Sequence, residues 1–179
     1  DSAYVYDLDS VRDSLAALTS LKSVDSVFYS MKANAHLGIL NTVNEEGVNF
    51  ECVSPGEIQR VLDLLPDIDR KKILFTPNFA PKEEYAWGLE QGVWVTLDNL
   101  HPIRHWPNMF AGREIFVRID TGQGQGHHEH VRTAGVHSKF GIPLFECEEL
   151  KDLIVAAGAR VVGLHAHTGS GILEPENWE

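Results

Sequence analysis

The stretch Val48-Asn49-Phe50-Glu51-Cys52-Val53-Ser54-Pro55-Gly56-Glu57-Ile58 decides the fold. Its first six residues form a β-favouring run. Ser54, Pro55 and Glu57 then supply an N-cap, a proline at the first helical position and an acid at the third, the pattern of a capping box. The helix behind them carries Ile58, Val61, Leu62 and Leu65 on one face, and Pro66 stops it. A strand that feeds a capped helix within a few residues is one half of a βαβ unit.

The same beat extends in both directions. Upstream, Val27 to Met31 reads as a strand, followed by a helix over residues 36–46 with Ile39, Leu40 and Val43 on one side and Gly47 at its end. Downstream, Ile73 to Thr76 is a strand and residues 81–91 a helix. Val93 to Thr96 is a strand, with Asp98 placed to cap a short helix. Ile115 to Ile119 is a strand, residues 148–157 a helix ended by Gly158, and residues 161–167 a sixth strand. A further helix, with Val11, Leu15 and Leu18 on one face, precedes them all. Alternating strands and helices imply parallel pairing with right-handed crossovers. Both a doubly wound open sheet and a (β/α)₈ barrel satisfy that rule. Polar residues close each strand, namely Lys32, Ser54, Thr76, Asp98, Asp120 and His167, and both folds put their chemistry at that edge. No strand is followed by G-x-G-x-x-G or by a P-loop.

Composition narrows the partners. The chain has 179 residues, with 15 basic and 26 acidic side chains and a formal charge of −11. Nucleic acid and anionic membranes reward clustered Lys and Arg, so neither is expected as a general partner. No apolar run is long enough to span a bilayer. Cys52 and Cys147 stand far apart with no CxxC pair, and are expected to be reduced core residues. The start lacks the basic and apolar regions of a signal peptide, so a cytoplasmic location is expected. The end, Glu174-Pro175-Glu176-Asn177-Trp178-Glu179, reads as the opening of a helix and suggests a fragment.

Several residues invite chemistry. Lys32 ends an apolar strand, which packs its stem and aims its amine at the mouth of the sheet. A partly desolvated amine there is a nucleophile toward carbonyls, although a plain surface lysine fits the spacing as well. His165 and His167 are expected on opposite faces of the sixth strand, one toward the interior and one toward the helices. Thr168-Gly169-Ser170-Gly171 offers small residues and backbone N–H groups suited to a phosphate, or is simply a turn. Arg118, inside a parallel strand, requires a partner, and Glu51 is a candidate partner for it or for Lys32. The Gly122 to His130 stretch is rich in Gly and His, but adjacent histidines on such a loop lack rigid metal-ligand spacing and no H-E-x-x-H is present. A loop over the active site is the expectation there, with no metal.

Tyr29-Ser30-Met31-Lys32-Ala33-Asn34 resembles the Y-A-[VM]-K-A-N signature of the fold-type-III pyridoxal-phosphate decarboxylases, which act on diaminopimelate, ornithine or arginine. Alanine racemase is a more distant relative with the same barrel. Four further segments resemble the family's motifs in the family's order: Glu51 to Ile58, Val117-Arg118-Ile119, Ser138-Lys139-Phe140-Gly141, and Gly163 to Ser170, where Thr168 replaces the usual apolar residue. The resemblance implies a (β/α)₈ TIM-like barrel. A complete barrel has eight strands and roughly 250 residues, so the six strands read here leave it incomplete. Residues 1–179 would be the N-terminal part of the barrel domain, with the C-terminal β-domain absent.

The family also implies roles by position. Lys32 would hold pyridoxal 5′-phosphate as a Schiff base, and His167 would stack on its ring. Ser170 would bond the phosphate, Gly169 and Gly171 would permit close approach, and Glu51 and Arg118 would stand near the cofactor. Ser138-Lys139-Phe140-Gly141 is closer to the diaminopimelate branch than to the ornithine branch. The stretch from Asp120 to Gly135 looks like the form fused to an aspartate kinase. The implied reaction is decarboxylation of meso-diaminopimelate to lysine, in a homodimer, with this chain alone inactive. The alternatives are a decarboxylase of ornithine, arginine or carboxynorspermidine, a non-catalytic relative that binds the cofactor, and a Schiff-base aldolase barrel without cofactor.

Overall fold

The computed structural model describes residues 2–122, 139–167 and 169. Seven parallel strands are present among them: β1 (Phe28–Ser30), β2 (Asn49–Cys52), β3 (Ile73–Phe75), β4 (Trp94–Leu97), β5 (Glu114–Asp120), β6 (Ile142–Pro143) and β7 (Arg160–His165). The helices are α1 (Leu8–Thr19), α2 (Leu37–Glu45), α3 (Pro55–Leu64), α4 (Lys82–Gln91), α5 (His101–His105) and α6 (Cys147–Ala157).

Strand order settles the architecture that periodicity left open. β1 to β5 pair in chain order, and β5 pairs β7 over Glu114 to Arg118. A doubly wound sheet reverses direction at a switch point, whereas this one adds each stave beside the last, as a barrel does. The one strand the sequence reading lacks is β6, two residues that pair only with Ile119 and Asp120 at the end of β5. It is too short to carry a hydrophobic period.

The two faces of the sheet differ. Phe50, Cys52, Ile73, Phe75, Val95, Leu97, Ile115 and Val117 are buried against the helices. Ile39, Leu40 and Val43 of α2, Ile58 and Val61 of α3, and Tyr85 and Leu89 of α4 meet them in one core. Each such side chain stabilises the fold by roughly 1.5–3 kcal/mol. α4 comes so close that a Cβ on Gly88 would lie 2.8 Å from the Phe75 ring. The alternate, interior positions are mostly half-buried, because the described strands form an incomplete barrel. Leu144, Phe145, Val155 and Leu164 are exposed beside β7 and α6.

Local signals hold with small shifts. The Ser54 hydroxyl accepts from the Glu57 amide, while the Glu57 carboxylate accepts from the amide of Val53, one residue before the cap. Leu15 of α1 is buried, but Leu18 is 48% exposed, so the expected face is narrower. Asp98 does not cap α5. It is buried behind the strand ends, and Asn99 instead accepts from the His101 amide. Both cysteines are free, Cys52 buried and Cys147 partly so. Among the described residues no helix is long and apolar enough to cross a membrane.

Candidate active site

Interior-facing residues two apart converge where the strands end. Ser30 of β1, Glu51 of β2 and Val53 just beyond it, Thr76 and Asn78 beyond β3, Arg118 of β5, and His165 of β7 with His167 just beyond it line one cavity of about 470 Å³, together with Phe28, Lys32 and Phe140. Lys32 does not extend β1. It lies in a 3₁₀ turn, Met31–Ala33, and Met31 is buried beneath it. Lys32 lines the cavity while remaining exposed, since the interior is open.

Glu51 organises the wall beside it. Its Oε2 accepts from the Ser30 hydroxyl at 2.5 Å, and its Oε1 accepts from the Thr76 hydroxyl. The sequence suggested Lys32 or Arg118 as its partner. Among the described residues neither comes within 4.0 Å ion-pairing distance of it, and short hydroxyl donors from the flanking strands take that place. Arg118 Nη1 donates to Asn78 Oδ1 at 3.2 Å, and its guanidinium carbon lies 5.0 Å from the centre of the Phe140 ring. Burial holds the Arg118 pKa below the usual guanidinium value.

His165 and His167 face the same cavity, which corrects the expectation that they diverge. Residues two apart in extended backbone share a face. Burial and the nearby Arg118 charge push His165 down to about 4, and the same causes lower His167. Both rings are therefore neutral imidazoles at physiological pH. Among the described residues, His165 Nδ1 is buried with no hydrogen-bond partner. A bulge in the β5–β7 pairing lies at Ile115/Phe116. Just beyond it Gly163 lies against Phe116, where a Cβ would come within 2.2 Å of the ring.

Gly169 takes φ 130°, a conformation open to glycine. Thr168, Ser170 and Gly171, the rest of the candidate phosphate turn, lie outside the described residues, as does the Gly- and His-rich stretch 123–138. Among the described residues no group of three or more His, Cys, Asp or Glu side chains is placed to hold a metal. Sequence reasoning passed over Asn78 and Phe140 as site residues. Asn78 had a signal, since it stands two residues beyond the strand-end Thr76 and so falls on the same face.

The arrangement offers an amine, a fixed guanidinium, a carboxylate held by hydroxyls and two neutral imidazoles around a cavity large enough for a small aromatic ligand. Residues 8–179 match the family model described as pyridoxal-dependent decarboxylase, pyridoxal binding domain. The chain is 38% identical over 151 residues to a diaminopimelate decarboxylase of Methanothermobacter thermautotrophicus, covering 84% of this chain and 35% of that protein. It is 33% identical over 171 residues to the diaminopimelate decarboxylase of Streptomyces coelicolor, covering 94% of this chain and 38% of that one. A crystal structure of diaminopimelate decarboxylase superposes with a TM-score of 0.83 at 30% identity, over 93% of this chain and 39% of that one. The chain thus spans less than half the length of the relatives it matches.

Proposed function

Because this chain belongs to the pyridoxal-dependent decarboxylases, we propose that it is the N-terminal part of the barrel of a diaminopimelate decarboxylase, with Lys32 holding pyridoxal 5′-phosphate. The observation that carries this reading is the convergence of Lys32, Glu51, Arg118 and His167 on one cavity at the strand ends. The residues fit the cofactor. Its aldehyde requires an unblocked amine, which Lys32 presents. A neutral imidazole such as His167 packs flat on an aromatic ring without placing a charge there. Gly169, Ser170 and Gly171 are assigned to the phosphate, where backbone N–H groups and a hydroxyl suit an anion.

When bound, the cofactor supplies a conjugated ring that accepts the electron pair left as the substrate's carboxylate departs as carbon dioxide. The chain's own residues do the positioning. Glu51, locked by Ser30 and Thr76, keeps a fixed negative charge at the floor of the site. Arg118 keeps a fixed positive charge, held by Asn78 and the Phe140 face. Charges held in place beforehand need no reorientation during reaction. Phe28, Val53 and Phe140 give the cavity apolar surface against which a flat aromatic ring can pack.

The substrate we propose is meso-diaminopimelate, which would make the full protein a cytoplasmic enzyme of lysine biosynthesis acting as a homodimer. The support is that the curated relatives matched are diaminopimelate decarboxylases. Residues 1–179 alone are proposed to be inactive, since the described strands leave the barrel incomplete. The test is carbon dioxide release by the full-length protein from meso-diaminopimelate, ornithine, arginine and carboxynorspermidine in parallel. Preference for diaminopimelate is expected. Faster turnover of another of these would move the protein to a sister activity, and turnover of none would leave a non-catalytic relative.

A further inference from the structure

Asp98 stands at the end of β4, outside the cavity lining, and is 1% exposed. Its Oδ1 accepts from the Tyr85 hydroxyl at 3.2 Å and from the Asn99 amide at 2.9 Å, and its Oδ2 accepts from the Phe79 backbone N–H at 3.4 Å. A carboxylate buried so deeply is costly unless donors meet both oxygens. Here the donors come from α4, from the next residue and from the turn after β3. Burial raises the Asp98 pKa, and the Arg118 charge is among the groups that oppose the rise.

Phe79, the residue that Asp98 holds, has φ 52° and is the only non-glycine with positive φ among the described residues. A bulky side chain keeps that backbone only where its surroundings over-determine it. Two supports of Arg118 meet at this residue. Asn78, immediately before it, accepts from Arg118 Nη1 at 3.2 Å. The Phe79 ring lies 5.7 Å from Phe140, the ring over which the guanidinium sits. Buried acid, left-handed turn and guanidinium thus form one connected chain.

We infer that Asp98 is a positioning residue for Arg118: by anchoring the Phe79 turn it fixes Asn78 and the Phe79–Phe140 pair, and so sets the direction in which the guanidinium enters the cavity. This rests on the reading of Arg118 as a cofactor-site group. A mere brace for the fold would also cost stability, but its effect would not depend on Arg118.

A double-mutant cycle separates the two. The dissociation constant for pyridoxal phosphate is measured by absorbance titration of the full-length apoprotein, in the D98A, N78A and R118M variants and in both double variants with R118M. D98A is expected to weaken binding by roughly tenfold, within the range of coupling between residues of one network. N78A is expected to do so by less. In the R118M background both losses should shrink to about twofold or less. D98N keeps an oxygen for the Phe79 amide and is expected to lose less affinity than D98A. It also carries the cycle if D98A does not fold. An Asp98 loss that is undiminished without Arg118 overturns the inference, as does D98N binding no better than D98A. R118M binding the cofactor as tightly as the wild type would instead overturn the reading of Arg118 itself.

Discussion

Ser30 and Glu51 stand directly opposite each other on β1 and β2, and the serine hydroxyl donates to the glutamate carboxylate at 2.5 Å. Thr76, beyond the end of β3, donates to the other carboxylate oxygen. Three consecutive staves are thereby tied at the level of the cavity. Hydrogen bonds to a charged group contribute about 1.5–3 kcal/mol each. Replacing Glu51 by Gln removes the charge with little change of shape. It is expected to weaken cofactor binding roughly ten- to a hundredfold, the range that such energies imply, while the far-ultraviolet circular dichroism stays unchanged. Unaltered affinity in a folded variant would show that Glu51 is only structural.

His165 predicts a pH dependence. Its pKa, about 4 in the folded state against 6.5 for a free imidazole, means that the folded protein binds the proton less readily than the unfolded chain. The associated stability is fully present above pH ~6.5 and is lost as pH falls toward ~4, amounting to as much as about 3 kcal/mol. His165→Asn removes the titration. The difference in unfolding free energy between wild type and variant should therefore shift in the variant's favour as pH falls through this window. A constant difference across it would mean that the ring is not buried against Arg118 as the structure shows.

Gly163 gives a packing prediction. A methyl group there would overlap the Phe116 ring at 2.2 Å. Overpacking of this kind typically costs 1–3 kcal/mol, so Gly163→Ala should lower the urea midpoint by about that much stability without changing the slope. Gly47→Ala provides a contrast. No atom lies within 4 Å of its added carbon, so any loss there comes from its φ of 74° alone.

Much of the fold was legible because each strand and helix carries its own period and punctuation. The Ser54 cap, the Gly158 stop and the interior run of Ile58, Val61 and Leu62 appear where the sequence placed them. Strand order was not legible, since alternation constrains handedness but not which stave lies beside which. β6 was missed because two residues have no period. Asp98 was misread because an acid before a helix looks like a cap, and only the structure shows it turned inward toward Tyr85 and the Phe79 amide. The neighbours of Glu51 and Arg118 depend on which side chains meet across staves distant in sequence, which no local pattern states.

The proposed chemistry turns on the Lys32 amine, and one chemical measurement addresses it. The full-length protein is loaded with pyridoxal phosphate, reduced with borohydride, digested and mapped by mass spectrometry. A pyridoxyl group is expected on the peptide containing Lys32, and its loss is expected in Lys32→Ala. A label on any other lysine, or none after reduction of the loaded protein, would contradict it.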